Sequence, residues 1–106
     1  MRGEIWTVAG SGYVSKPRPA LVIQDDRFNA IDSVTVVPLT STLNDAPLLR
    51  IPIEPSQRTG LTQTSQLMID KMTTVPRVNV RHRIGHLTAA EIVQVERALL
   101  VFIGIN

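Results

Sequence analysis

Until residue 88 the apolar residues fall in short clusters separated by polar, turn-forming stretches. Ala20-Leu21-Val22-Ile23 is too short for a typical helix and rich in β-branched residues, which reads as a strand buried on both faces. Pro17 and Pro19 push the chain just before it into extended geometry. Ser33 to Thr40 is a second clear strand, carrying Val34, Val36, Val37 and Leu39. Arg2 to Val8 forms an opening strand with Ile5 and Trp6 as its apolar content. Leu48 to Ile53 alternates loosely, and Pro52 marks it as an edge because proline cannot donate to a ladder. Leu61 to Ile69 is threonine-rich with an apolar end, which predicts a fifth strand. Val75 to Val78 reads as a short helical turn and Ile84 to Leu87 as a small strand.

The spacing then changes. Thr88 stands three residues before Glu91, a capping box. Ile92, Val95, Leu99, Phe102 and Ile103 recur at helical spacing, and Gly104 is a stop signal. One amphipathic helix against a mostly antiparallel sheet predicts a small α+β domain resembling a β-barrel. No internal repeat or linker interrupts residues 1–106, so one domain is expected.

Composition narrows the function classes. The 106 residues are 43% hydrophobic and 19% charged, a globular balance rather than a disordered one. The chain has no cysteine, which excludes disulfides and thiolate metal sites and fits a reducing compartment. No apolar stretch is long and charge-free enough to span a bilayer, and the N-terminus lacks the apolar centre of a signal peptide. A cytoplasmic protein without a membrane partner is expected. The formal net charge is only +2. Lys16 and Arg18 lie early, and Arg77, Arg81, His82 and Arg83 lie late. If the fold gathers them, they make a phosphate-holding patch; otherwise they are scattered solvated charges.

Candidate chemistry starts at Arg18, held on a stiff backbone between two prolines. A guanidinium placed in this way binds two phosphate oxygens at once, although a cation solvating a strand end fits the same pattern. Tyr13 lies in a Gly/Ser loop and either stacks on a base or folds back on the sheet. His82 and His86 stand four apart, but Gly85 between them, a strand-like context and the lack of a matching third ligand argue against a metal site. No Gly-rich phosphate loop and no nucleophile elbow is present. What remains is Arg18 at a strand start, the hydroxyls Thr40-Ser41-Thr42 at a strand end, and the amides of Gln24, Gln63 and Gln66. These are donors for phosphates and base edges, without a strong base.

The blocks Arg2-Gly3-Glu4-Ile5-Trp6, Arg18-Pro19-Ala20-Leu21-Val22-Ile23-Gln24-Asp25-Asp26 and Val37-Pro38-Leu39-Thr40-Ser41 resemble the MazF/PemK toxins in order and spacing. Ile84-Gly85-His86-Leu87-Thr88 followed by one helix resembles their ending, and the likeness covers nearly the whole chain. It implies a small SH3-like antiparallel β-barrel (PemK/CcdB-like) with a C-terminal α-helix, acting as a homodimer. It also implies the toxin of a type II toxin–antitoxin system, a sequence-specific endoribonuclease that cuts single-stranded mRNA without a metal or other cofactor. The substrate's own 2′-hydroxyl would attack the adjacent phosphate, leaving a 2′,3′-cyclic phosphate and a 5′-hydroxyl end.

By resemblance Arg18 matches the family's catalytic arginine, Thr40 its catalytic threonine and Gln66 a glutamine that helps bind RNA. Tyr13, Lys16, Gln24, Ser41, Ser65, Arg81 and Arg83 complete the expected RNA contacts. Many members carry an acidic residue just before the matching glutamine and a basic one two after it; here these are Ser65 and Met68. The loop after the first strand also lacks the family's common acidic residue. Arg81-His82-Arg83 is the expected substitute for the missing cation. The implied partner is a cognate antitoxin with a flexible acidic segment that orders over the basic groove. The alternative is a same-fold toxin that binds a protein target such as DNA gyrase, or a catalytically weak, antitoxin-binding member.

Overall fold

A computed structural model describes residues 1–10 and 16–105. Seven strands and one helix follow in the order β1 (Glu4–Val8), β2 (Arg18–Val22), β3 (Ser33–Thr40), β4 (Arg50–Ile53), β5 (Ser65–Met68), β6 (Thr73–Pro76), β7 (Val80–His86) and α1 (Ala89–Ile103). All pairings are antiparallel, in the order β4-β5-β3-β2-β1-β7, with β6 added beside β3.

β3 organises the sheet. One edge pairs with β2; the other pairs first with β6 and then, past Val36, with β5. Alternation along β3 divides its side chains between two apolar clusters. Val37 and Leu39 join Ile5, Leu21, Leu67, Val95 and Leu99 under the helix. Val34 and Val36 join Val8, Ala20 and Val22 on the opposite face. β2 is shared in the same way, which is why its sequence is a continuous apolar run rather than an alternating one. Each fully buried aliphatic side chain contributes about 1.5–3 kcal/mol of transfer free energy.

The strands expected from the sequence are present, several of them shortened at the ends. Two differences stand out. Thr73–Pro76 is a strand and the helical turn expected over Val75–Val78 follows it at Arg77–Asn79, and β7 begins at Val80 rather than Ile84. Both segments are polar and lie on exposed edges, so neither carries the apolar alternation that marks a strand.

The expected α+β class holds, an antiparallel sheet with one C-terminal helix, but the sheet is not a closed barrel and stays open between β4 and β7. The loop joining β4 to β5 fills that seam. The Arg58 carbonyl accepts from the His86 N–H at 2.9 Å. A Cβ at Gly60, whose φ is +71°, would lie 2.0 Å from the Ile84 carbonyl oxygen, and one at Gly85 would lie 2.3 Å from that of Arg58. Only glycine lets these backbones touch. β4 is four residues long and contains Pro52, so it offers little ladder with which to close the sheet directly.

Ion pairs tie the edges down. Arg50 pairs with Asp70 beyond β5, and the Arg50 guanidinium holds that carboxyl below its usual range. Arg2 reaches Glu96 on the helix at 2.6 Å. Thr88 caps the helix as expected, with Glu91 completing the capping box. Burial pushes the Glu91 carboxyl up, but the Thr88 N–H and the Arg58 guanidinium outweigh it and hold the carboxyl below its usual 4.5. Val95 and Leu99 are buried, whereas Phe102 and Ile103 are about half exposed, at 47% and 50%. The helix therefore runs past the core and leaves an apolar end in solvent. No helix among the described residues is long and apolar enough to cross a membrane.

Candidate active site

Arg18 is the first residue of β2, opposite Val8 of β1. Pro19 follows it, so Arg18 sits where the ladder has lost one donor and the strand is stiff. Thr40 is the last residue of β3, opposite Gln66 of β5. The two strands are neighbours in the sheet and bring Arg18 and Thr40 to one cleft of about 130 Å³. Ser41, Thr62, Gln63 and Ser65 form the rest of its polar wall over an apolar base of Pro19, Leu39 and Leu61. Among the described residues no histidine or carboxylate lines it. Arg18 also borders a larger, mainly apolar hollow of about 430 Å³ that reaches across to β6.

The Thr40 hydroxyl is oriented by its own loop. The Thr42 N–H donates to Thr40 Oγ1 at 3.1 Å, which occupies the oxygen as an acceptor and leaves its proton to be donated elsewhere. Ser65 is buried and donates to the Gln63 carbonyl at 3.0 Å. The cleft therefore offers a guanidinium, hydroxyls and an amide: hydrogen-bond donors suited to an anionic, oxygen-rich ligand.

The other expected contacts divide. Ser41 and Ser65 lie in the cleft, and Lys16 is exposed just ahead of Arg18. Tyr13 lies outside the described residues. Gln24 does not join the cleft. Its Nε2 donates to the carbonyls of Phe28 and Ser33, and its Oε1 accepts from the Thr35 N–H, so its amide holds the β2–β3 turn together. Gln66 is likewise engaged: Oε1 accepts from the Asn44 N–H and Nε2 donates to the Asn44 carbonyl, both at 3.0 Å.

The late basic cluster is split. Arg83 Nε lies 3.0 Å from Glu4 Oε2, so its charge is already answered. Arg81 falls in a register shift: Val8 pairs with Val80 and Thr7 with His82, leaving Arg81 as the unpaired bulge residue. It is exposed, two strands from Arg18 through Val8, or about 10 Å at the usual strand spacing. Among the described residues no group of three or more histidine or acidic side chains gathers to hold a metal. Sequence reasoning missed Thr62 and undervalued Gln63. Both sit in the polar run after Leu61, and their only signal was the hydroxyl and amide residues filling the first half of the strand expected there.

Residues 1–103 match the family described as PemK-like, MazF-like toxin of type II toxin–antitoxin system. The chain is 60% identical over 105 residues to probable endoribonuclease MazF of Mycolicibacterium smegmatis, covering 98% of this chain and 96% of that protein. It is 30% identical to endoribonuclease MazF9 of Mycobacterium tuberculosis, covering 92% and 91%. Its fold is similar to that of the solved Mycobacterium tuberculosis toxin MazF-mt6, with a TM-score of 0.84 at 23% identity over 97% of this chain and 98% of that one. It is also similar to a mycobacterial endoribonuclease solved with its cognate antitoxin, with a TM-score of 0.83 at 23% identity over 100% and 96%. With its family matched along almost its whole length, the chain belongs to the MazF/PemK endoribonuclease toxins of type II toxin–antitoxin systems.

Proposed function

We propose that this toxin cuts single-stranded RNA in the Arg18–Thr40 cleft by letting the substrate attack itself. The observation that carries this reading is the composition of the cleft: one guanidinium and several hydroxyls, with no histidine or carboxylate among the described residues of its lining. Such a site stabilises charge but supplies no strong base to activate a hydroxyl of its own as nucleophile. RNA brings its own nucleophile in the 2′-hydroxyl, the group that separates it from DNA. The 2′-oxygen forms a bond to phosphorus while the bond to the 5′-oxygen breaks, leaving a 2′,3′-cyclic phosphate and a 5′-hydroxyl. The 2′-hydroxyl proton leaves to solvent. Arg18 neutralises the charge building on the phosphorane and donates to the departing 5′-oxygen, a preorganised electrostatic role. A guanidinium donates hydrogen bonds and accepts none, so Arg18 does not act as the base. Thr40, its oxygen already held by Thr42, donates its proton to a phosphate oxygen.

Ser41 and Gln63 face the same cleft and contact the nucleotides flanking the cut, with Lys16 and Arg81 drawing the backbone in along the sheet edge. Two further features belong to this reading. The exposed apolar end of the helix, with Val101 71% exposed, pairs two copies into a homodimer. A flexible acidic segment of the cognate antitoxin covers Arg18, which silences the toxin in the cytoplasm until that partner is lost.

The test is RNA cleavage in the presence of a chelator, comparing wild type with Arg18→Ala and Thr40→Ala. Wild type should cut, both variants should fail, and the mapped ends should carry 5′-hydroxyls. Intact RNA with folded wild-type protein, and growth arrest that persists in both variants, would instead point to a protein target.

A further inference from the structure

We propose that Gln66 is a positioning residue. Its amide fixes the loop after β3 and thereby sets the direction of the Thr40 hydroxyl. The proposal rests on the reading of the Arg18–Thr40 cleft as the cutting site.

Thr40 and Gln66 form the last rung between β3 and β5, so their side chains stand side by side on one face of the sheet. From there Gln66 reaches forward along the loop and takes both backbone groups of Asn44 at 3.0 Å each. A side chain thus makes the paired bonds that a strand would have made, four residues beyond the end of β3. The loop needs such a tie. Ser41, Thr42, Leu43, Asn44 and Asp45 are all exposed, so no buried packing holds them. Within the tied span lies Thr42, whose N–H orients Thr40 Oγ1 at 3.1 Å. Releasing Asn44 lets Thr42 drift, and the Thr40 hydroxyl then loses its fixed direction.

Misaiming a catalytic donor lowers the rate of the chemical step rather than the affinity for substrate. A direct RNA contact would do the reverse. The two Gln66 bonds run only to the backbone of Asn44, so the Asn44 side chain is dispensable to them.

The experiment uses an RNA oligonucleotide whose cut site has been mapped with the wild-type toxin. Cleavage kinetics are measured for wild type, Gln66→Met, Gln66→Leu and Asn44→Ala, with thermal melts to verify folding. Affinity is measured for the same oligonucleotide carrying a 2′-deoxy sugar at the cut, which cannot react. Hydrogen exchange reports the Asn44 amide. Both Gln66 variants should lose at least about tenfold in kcat while KM and affinity stay within about two-fold, and the Asn44 amide should exchange faster. Asn44→Ala should match wild type. Weakened affinity with kcat intact overturns the proposal in favour of direct RNA contact. Unchanged kcat with a freed Asn44 amide overturns it as well. If wild type cuts and the variants match it, only this inference fails; if wild type cuts no RNA, the ribonuclease reading fails and takes this inference with it.

Discussion

Arg18 and Arg83 sit on strands of one sheet, with β1 between them, yet they carry their charge into opposite surroundings. On the β7 side three guanidiniums have met carboxylates. Arg83 pairs with Glu4 at 3.0 Å, and Arg58 with Glu91 at 2.8 Å while it also donates to the His86 carbonyl. Arg2 pairs with Glu96 on the adjoining helix. At the mouth of β2 the lining of the cleft contains no acid, and no ion pair engages Arg18 among the described residues. The difference separates two uses of one side chain. A paired arginine joins a seam, whereas one flanked by prolines and faced by hydroxyls keeps its donors for a ligand. Counting basic residues along the chain treats the two alike; the fold does not.

The largest effect should come from exchanging these two roles. Arg18→Ala should lower the rate of RNA cleavage about 10²–10³-fold, the usual cost of losing a preorganised donor to a developing negative charge. Arg83→Ala, which removes half of an exposed ion pair, should leave that rate within about two-fold. Equal losses in a cleavage assay would end the distinction between the two sides.

The second effect concerns stability and reverses the order. The β7 side is where the open sheet is sealed by backbone contact. Gly60→Ala puts a Cβ 2.0 Å from the Ile84 carbonyl oxygen, and backbone cannot step aside as a flexible side chain would. A loss of about 3 kcal/mol is expected in urea denaturation. Gly104 also has a positive φ, at +76°, but nothing lies within 4 Å of its Cβ position. Gly104→Ala should cost only the conformational strain, about 1–2 kcal/mol. If the two cost the same, the seam at Gly60 is not a close contact.

That seam also shows where the sequence could be read and where it could not. Local signals carried the fold: the apolar run at Ala20–Ile23 marked a doubly buried strand, and Thr88 with Glu91 marked the helix start. Closure was not local. Nothing near Gly60 announces that its backbone must lie against Ile84, because that contact joins distant segments and involves no side chain. β6 was missed for a related reason, since an exposed polar edge strand carries no alternation to detect. Arg18 and Thr40 each stand at the end of a strong strand, which is why the sequence could single them out, and the fold brings them to one cleft. The structural bonds of Gln24 and Gln66 were not legible, because an amide in sequence looks the same whether it awaits a ligand or holds a turn. Only the partners, Thr35 and Asn44, tell the two apart.

A smaller effect follows from the Arg58–Glu91 pair. The Glu91 carboxyl is held below its usual 4.5, so its contribution is complete above that value and disappears as pH falls through the lower folded-state value. Glu91→Gln can still accept from the Thr88 N–H but loses the charge. The stability advantage of wild type over Glu91→Gln in denaturant midpoint should therefore be greatest near neutral pH and shrink on acidification below about pH 4. An advantage that stays constant down to about pH 3 would mean the pair contributes nothing through its charge.

The smallest effect is the most discriminating. For single strands, each phosphate neutralised by a protein cation adds about 0.7 to the slope of log affinity against log salt. Arg81, exposed in its bulge, should contribute a full increment, so Arg81→Ala should flatten the slope by about 0.7. Arg83 should contribute less, because Glu4 already offsets its charge. Glu4 also accepts from the Trp6 indole N–H at 3.0 Å, a bond that Glu4→Gln can keep. That substitution removes the countercharge of Arg83, and of the Met1 ammonium 3.6 Å from Glu4 Oε1, and the slope should then steepen as Arg83 becomes available to RNA. Measured with an oligonucleotide carrying a 2′-deoxy sugar at the cut, so that no RNA is consumed, the three slopes should rank Glu4→Gln, then wild type, then Arg81→Ala. A flat response to Glu4→Gln would mean that Arg83 never reaches RNA whatever its partner. The line between the two sides of the sheet would then be set by distance from the cleft and not by charge pairing.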